Sequence, residues 1–233
     1  MKNLNLSKLI LKIALVVTIV LSSMQEVKAQ FDVGADIMSR YVWRGAGYSN
    51  GPSIQPYMSY ASGDFEIGFW GAYANDGQVD ELDLYASYGI GPVGLTLTNY
   101  VFPDNMTPGT VTPVEYWASE GGWEGTIGLE LGPIALTYAT FFDAGSNYIA
   151  AGTSLGDVDL TIGLGDDFYT TDGDMGLMEI SLGYGKDIMI TEDFSLPASG
   201  SLIYNPDADQ MYLVFGISPV SYTHLTLPTN REV

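Results

Sequence analysis

Hydrophobic and polar residues alternate along most of the chain with a period of two. From Phe31 to Arg44 the odd positions are Phe31, Val33, Ala35, Ile37, Ser39, Tyr41 and Trp43, while the even ones include Asp32, Asp36, Arg40 and Arg44. Successive side chains of an extended strand point to opposite faces, so this segment has one apolar and one charged face. The alternation returns in Phe65–Tyr73, Leu82–Gly89, Ile127–Leu131, Ile134–Tyr138, Val158–Leu164, Met178–Tyr184 and Met211–Ile217. Weaker stretches at Ser53–Ala61, Val93–Val101, Tyr148–Leu155 and Ser195–Tyr204 bring the prediction to about twelve strands of roughly nine to eleven residues, within a range of about ten to fourteen strands. Helical stripes are absent after the first 29 residues.

The joins between these strands sort by parity. Ser62-Gly63-Asp64, Gly91-Pro92, Gly132-Pro133 and Gly156-Asp157 are tight, whereas the alternate joins are mostly longer, polar and acidic. Only Ile190 to Phe194 breaks the short set. Short turns at one end and long loops at the other are the arrangement of a membrane-spanning barrel, and a soluble β-sandwich has no reason to segregate its loops this way.

The charged face leads to the same fold. Asp32, Asp36, Arg40, Arg44, Glu66, Asp83, Glu124, Glu130, Asp159 and Glu179 fall on the face opposite the apolar positions. In the core of a sandwich each unpaired carboxylate would cost several kcal/mol or have to be neutralised. A barrel inverts the requirement, because its outside meets lipid and its interior can be polar. The expected fold class is therefore all-β, a single antiparallel transmembrane β-barrel. Tyr41, Trp43, Phe69, Tyr73, Tyr88, Tyr138, Phe142, Tyr184 and Phe215 are expected to form its aromatic girdles.

The two ends read differently from the body. Lys2, Lys8 and Lys12 lead into the apolar stretch Ile13 to Leu21, and Val27-Lys28-Ala29 offers a cleavage site, so residues 1–29 are expected to be a signal peptide. Val220 to Thr229 back-translates as a transposase adaptor used in sequencing libraries. Residues 220–233 are therefore expected to be a non-native tail that stays out of the sheet, leaving 30–219 as the barrel. Setting aside Lys2, Lys8, Lys12, Lys28 and Arg231 takes the eight cations of the chain down to three, Arg40, Arg44 and Lys186. Setting aside Glu26 and Glu232 takes the 28 carboxylates to 26, for a net charge near −23. Such a surface has no basic footprint for nucleic acid. With no cysteine in the chain, disulfides and thiolate metal sites are excluded. The single histidine, His224, falls in the tail, which removes the usual neutral-pH base; no catalytic residue, enzyme activity, cofactor or metal is expected.

Asp36-Ile37-Met38-Ser39-Arg40-Tyr41-Val42-Trp43-Arg44-Gly45, followed by Gly51-Pro52-Ser53-Ile54-Gln55-Pro56-Tyr57, resembles the first strand and hairpin of the Gcw_chp family, exported proteins often called TorF-type porins. Ser195–Pro206 and Tyr212–Ser218 agree with it, so the resemblance covers nearly all of Phe31 to Ser218. It implies a cell outer membrane location and a channel. The partners to expect are then outer-membrane lipid, the barrel insertion machinery and small hydrophilic solutes or cations. A plugged structural or adhesive barrel without transport is the alternative.

Within that frame the ten charged residues named above are the pore-lining candidates. Arg40 and Arg44, four apart on one strand, would share a face about 13 Å apart. They either set a transverse field across a constriction or serve as interior salt-bridge partners for Asp32, Asp36, Glu66 or Asp83. The loop acids Asp76, Asp80 and Glu81, Asp166, Asp167, Asp172 and Asp174, and Asp207 and Asp209 lack the spacing of a calcium loop and read as a solvated rim. Gly163-Leu164-Gly165 and Gly183-Tyr184-Gly185 have no following helix and read as barrel bends. Pro103 to Pro113 reads as a long loop that either folds into the lumen or faces outward.

Overall fold

The structure is a computed structural model that describes residues 30–102, 122–192 and 194–223. The expected signal peptide, the expected loop at Pro103 to Pro113 and His224 lie outside the described residues. The first strand is β1 (Gln30–Met38), followed by a short hairpin of β2 (Val42–Trp43) and β3 (Ala46–Gly47). Then come β4 (Ser53–Ser62), β5 (Phe65–Ala74), β6 (Asp80–Ile90), β7 (Val93–Val101), β8 (Trp123–Leu131) and β9 (Ile134–Phe141). The chain continues through β10 (Asn147–Leu155), β11 (Val158–Gly165), β12 (Gly176–Met189), β13 (Ser195–Asn205) and β14 (Gln210–Thr223). From β4 to β14 each strand pairs antiparallel with the next, and β1 joins β14 to β4, closing a barrel of twelve strands.

The wall follows from the alternation. Ile67, Leu97, Ile127, Leu136, Ile162, Leu182 and Leu213 all point outward and stay exposed. A continuous belt of such side chains suits hydrocarbon, and closure leaves no strand edge unpaired. Tyr73, Tyr88, Tyr138, Phe142, Tyr184 and Phe215 stand on the same outer surface, as the girdle reading required. At one end four of the joins are two-residue turns, and β12 and β13 are joined by the longer 190–194 segment. Gly91 and Gly132, each followed by proline, have φ of 59° and 62°, the left-handed conformation needed at the first central position of a tight hairpin. At the other end the loops are longer.

Two expectations are corrected. The first concerns Arg40 to Arg44, which do not extend the first strand. After Met38, the Ser39 N–H donates to the Phe215 carbonyl (2.7 Å) and the Phe215 N–H donates to Ser39 Oγ (2.8 Å), which ends the ladder. The chain then folds inward, and the segment from Tyr41 to Ser49 packs inside the barrel, while Asn50 and Pro52 are exposed where the chain returns to the wall. Arg44 (φ 48°) and Gly45 (φ 78°) make the tight turn between β2 and β3. Tyr41 is consequently buried and Trp43 packs among buried rings, so neither belongs to a lipid-facing girdle.

The second correction concerns the tail. Val220, Ser221, Tyr222 and Thr223 pair with Ala35, Gly34, Val33 and Asp32, so the closing strand runs past Pro219. Backbone pairing is indifferent to sequence, and the open edge of β1 is satisfied by whichever extended segment follows. The register slips between Ala35 and Ile37, and Pro219, which has no N–H to give, sits in that irregularity.

Candidate functional site

Twelve strands spaced about 4.8 Å apart and tilted by about 40° enclose a cylinder of roughly 12 Å backbone radius. Eight strands are enough for inward side chains to fill the interior; at twelve they no longer meet, so something else must occupy the lumen or it stays open. Both outcomes occur here, at opposite ends. Toward the short turns the inward positions are small: Gly94 beside Gly128, Thr96 beside Thr126, Gly152 beside Ala135, and Gly183 and Ser201 farther round. Toward the long loops the β2–β3 hairpin fills the bore.

Arg44, at the hairpin tip, reaches the far wall. Its Nη1 donates to Glu124 Oε2 (2.5 Å) and to the Tyr169 hydroxyl, and its Nη2 donates to Glu124 Oε1 (3.0 Å). The guanidinium centre lies 4.3 Å from the Trp43 ring centroid and 4.4 Å from that of Tyr148. Glu124 is fully buried and also accepts from the hydroxyls of Thr126 (2.9 Å) and Tyr100 (3.3 Å). Burial works most strongly against the charge of Arg44, but the Glu124 hydrogen bonds together with the negative charge of Glu124 and the neighbouring Tyr169 and Tyr100 outweigh it, and its pKa is raised. A two-pronged, desolvated pair of this kind is far stronger than a surface ion pair. Gly45 lets the tip approach the wall, because a Cβ there would collide with the Met178 carbonyl, and Asn205 Nδ2 donates to the Gly45 carbonyl at 3.2 Å.

Rings complete the plug. Trp43 joins one buried cluster of Tyr100, Phe141, Tyr148, Tyr169 and Met178 to another of Tyr41, Ala72 and Val79, with Tyr48 and Trp70 packed alongside. Tyr169 is brought in by a 3-10 turn at Asp167–Tyr169. The alternation gave no sign of this cluster, because Tyr100, Tyr148 and Tyr169 come from two separate strands and a loop turn. The available signal was a dense group of Tyr41, Trp43, Arg44 and Tyr48 around Gly45 and Gly47.

The other pore-lining candidates separate into two tiers. Glu179 stands near Arg44 and accepts from Tyr148 (2.7 Å) and Ser181 (3.1 Å). Asp83 is buried on the inward face of β6 beside Trp70. Asp36 accepts from Ser218 (2.5 Å), and Arg40 lies 5.5 Å from the Tyr212 ring centroid. Toward the short turns, Glu66 accepts from Tyr85 (2.7 Å) and Asp159 from Ser154 (2.6 Å), Asp32 stands opposite Ser59, and Glu130 is exposed at the end of β8. Arg40 and Arg44 share no strand face, and Arg44 bridges to Glu124 rather than to Asp32, Asp36, Glu66 or Asp83.

The loop acids are clamps more than a free rim. Asp166 accepts from the Asn147 N–H and Nδ2, Asp167 from Ser146, Asp207 from the Thr171 N–H and Asp209 from Tyr204. Among the described residues no group of three or more acids is placed to hold a metal ion. Glu81 is not a rim residue at all: it is 2% exposed, two residues from Asp83 on the same inward face. The best-defined clamp is Asp76. Its slight desolvation pushes the pKa up, but N–H groups of Gln78, Asn50 and Gly51 donate to its carboxylate and pull the pKa down further, below 3.8. A carboxyl whose pKa falls on folding contributes stability above its unfolded value and loses it as pH drops through the lowered one. The Asp76 carboxyl is therefore expected to titrate below 3.8 by NMR and to release the 50–51 backbone only there; a midpoint at or above 3.8 would count against the clamp.

A family model described as a bacterial protein of unknown function, Gcw_chp, matches residues 24–213. No curated protein matches the chain. Among solved structures, two mutants of the Rh. blastica porin are similar to it, each at 11% identity and a TM-score of 0.33, over 73% of this chain and 55% of the porin chain. The chain thus spans about 55% of the length of the porins it matches.

Proposed function

This chain belongs to the Gcw_chp family, and from that premise together with its closed barrel we propose that it is an outer-membrane channel for small hydrophilic solutes that prefers cations. The observation that carries the reading is the contrast between the two surfaces of the wall, apolar outside and acidic within, in a barrel too wide for its own inward side chains to fill. The lipid, the barrel insertion machinery and the permeating solute are its partners, and the leader directs it to them. Selectivity follows from charge. Of the ten lining candidates eight are carboxylates, Arg44 is neutralised by Glu124, and Arg40 is left as the other cation. Fixed negative charge concentrates cations in the bore and repels anions, an effect that salt screens over a Debye length of about 10 Å at 0.1 M.

The latched hairpin favours a second reading, a barrel plugged at its long-loop end that serves as a structural or adhesive surface. One experiment separates the two. Full-length protein in planar bilayers is expected to give small conductance steps, with a reversal potential across a KCl gradient that reports cation preference and shrinks at high salt. Anion-directed or zero selectivity would defeat the first reading, and complete absence of conductance would favour the second.

A further inference from the structure

Beside the hairpin, toward the long loops, lies a cavity of about 530 Å³. Its wall includes the rings of Trp43, Tyr48, Phe141 and Phe168, with two acids, Glu81 and Asp143. The rings are set at angles to one another: Trp43 and Tyr48 meet edge-on with centroids 6.1 Å apart, and Phe141 and Phe168 do so at 5.3 Å. An apolar chamber of this size suits a small organic molecule, within the roughly 300–1,000 Å³ of ligand pockets.

Glu81 makes the chamber selective. Its side chain is 2% exposed; the Tyr41 hydroxyl donates to the carboxylate, but Oε2 has no hydrogen-bond partner among the described residues. Nor can the chain readily supply a cation for it. Arg40, Arg44 and Lys186 are the only Lys or Arg between residues 30 and 223; Arg44 is committed to Glu124, Arg40 lies over Tyr212, and Lys186 is near the short-turn end of β12. A buried carboxylate oxygen without a partner costs free energy that a bound cation would recover. One of these rings already accepts a cation, since the Arg44 guanidinium lies against the Trp43 ring that lines the chamber.

From this juxtaposition of a buried carboxylate that has one oxygen without a partner with a box of four aromatic rings, we infer that the chamber is a binding site for a small organic cation of the substituted-ammonium class. Ring faces attract the diffuse charge of an alkylated ammonium, Glu81 supplies the counter-charge, and Asp143, exposed at the rim, draws the cation in. A bare alkali ion would gain less, because the chamber is too apolar to replace its hydration shell. The site does not require the barrel to conduct.

The test is calorimetric titration of the full-length protein, refolded in detergent, with three probes: choline, its neutral carbon isostere 3,3-dimethylbutan-1-ol, and KCl. Choline is expected to saturate, the isostere to bind at least about tenfold more weakly, and equimolar KCl to leave choline bound. Glu81→Gln keeps shape and removes charge, so it should weaken choline at least about tenfold while leaving the isostere unchanged. Phe168→Ala, at an exposed position on the 3-10 turn outside the strands of the barrel, should weaken choline several-fold. No saturation by choline, equal binding of the isostere, displacement by equimolar KCl, or an unaffected Glu81→Gln variant would each overturn the site. Bilayer recordings on the same preparation keep this result separate from the channel reading: conductance without choline binding overturns only the site, and choline binding without conductance upholds it.

Discussion

Replacing Arg44 by alanine is expected to destabilise the folded barrel by about 3–5 kcal/mol, the usual cost of leaving one member of a buried ion pair without the other. Glu124 is 1% exposed, and after the substitution it would keep only hydroxyl donors from Thr126, Tyr100 and Tyr169. Hydroxyls can satisfy lone pairs, but they cannot neutralise a charge in a region walled by Trp43, Phe141 and Tyr148. Two controls give the number meaning. Arg40→Ala removes a cation that, among the described residues, rests only against the Tyr212 ring and should cost under about 1 kcal/mol. The double change Arg44→Met with Glu124→Leu removes both charges and should recover most of the loss, since an apolar pair of similar volume is often as stable as a buried salt bridge. Denaturant unfolding in detergent micelles, followed by tryptophan fluorescence, reads all three. If Arg44→Ala costs no more than Arg40→Ala, the hairpin is not latched and sits loosely in the bore.

The wall was legible in the sequence because a lipid-facing barrel imposes the same constraint at every strand. Ile67, Leu97, Ile127, Leu136 and Leu182 must all be apolar outside, so each strand repeats the period, and Gly-Pro and Gly-Asp pairs mark every second join except the one at 190–194. The plug was not legible, for a related reason. Alternation continues from Phe31 through Trp43 because residues 42–43 are indeed extended; they pair with Ala46 and Gly47 inside the lumen instead of extending the wall. Period two identifies a strand but not what its apolar face touches, and a ring cluster in a bore presents the same pattern as a lipid-facing girdle. The charged residues were misjudged by the same logic. Glu81 follows Asp76 and Asp80 and reads as one more loop acid, until the register places it opposite Ala72 on the inward face. Arg44 has the composition of a salt-bridge partner, but Glu124 is 80 residues away, and nothing local couples the two.

Excising the hairpin is expected to have the largest effect on conduction. The Tyr48 N–H donates to the Tyr41 carbonyl at 2.9 Å, so these residues already stand as a cross-strand pair. Replacing residues 42–47 by Asn-Gly would therefore close the loop with a two-residue hairpin turn and without disturbing the wall. The variant should also carry Glu124→Gln, because removal of Arg44 would otherwise strand a buried carboxylate and confound opening with unfolding. What remains is a twelve-stranded bore of roughly 12 Å backbone radius, lined below by Gly94, Gly128 and Gly152 and above by Glu81, Asp83 and Glu179. Since the narrowest section dominates the resistance of a pore, single-channel conductance should rise at least about fivefold. Cation preference should survive, because Arg44 and Glu124 cancel in the intact protein and are both neutral or absent in the variant, while Glu81, Asp83 and Glu179 stay in the wall. An unchanged conductance would place the bottleneck elsewhere, and a larger conductance with lost cation preference would show that the acids of the wall do not set selectivity.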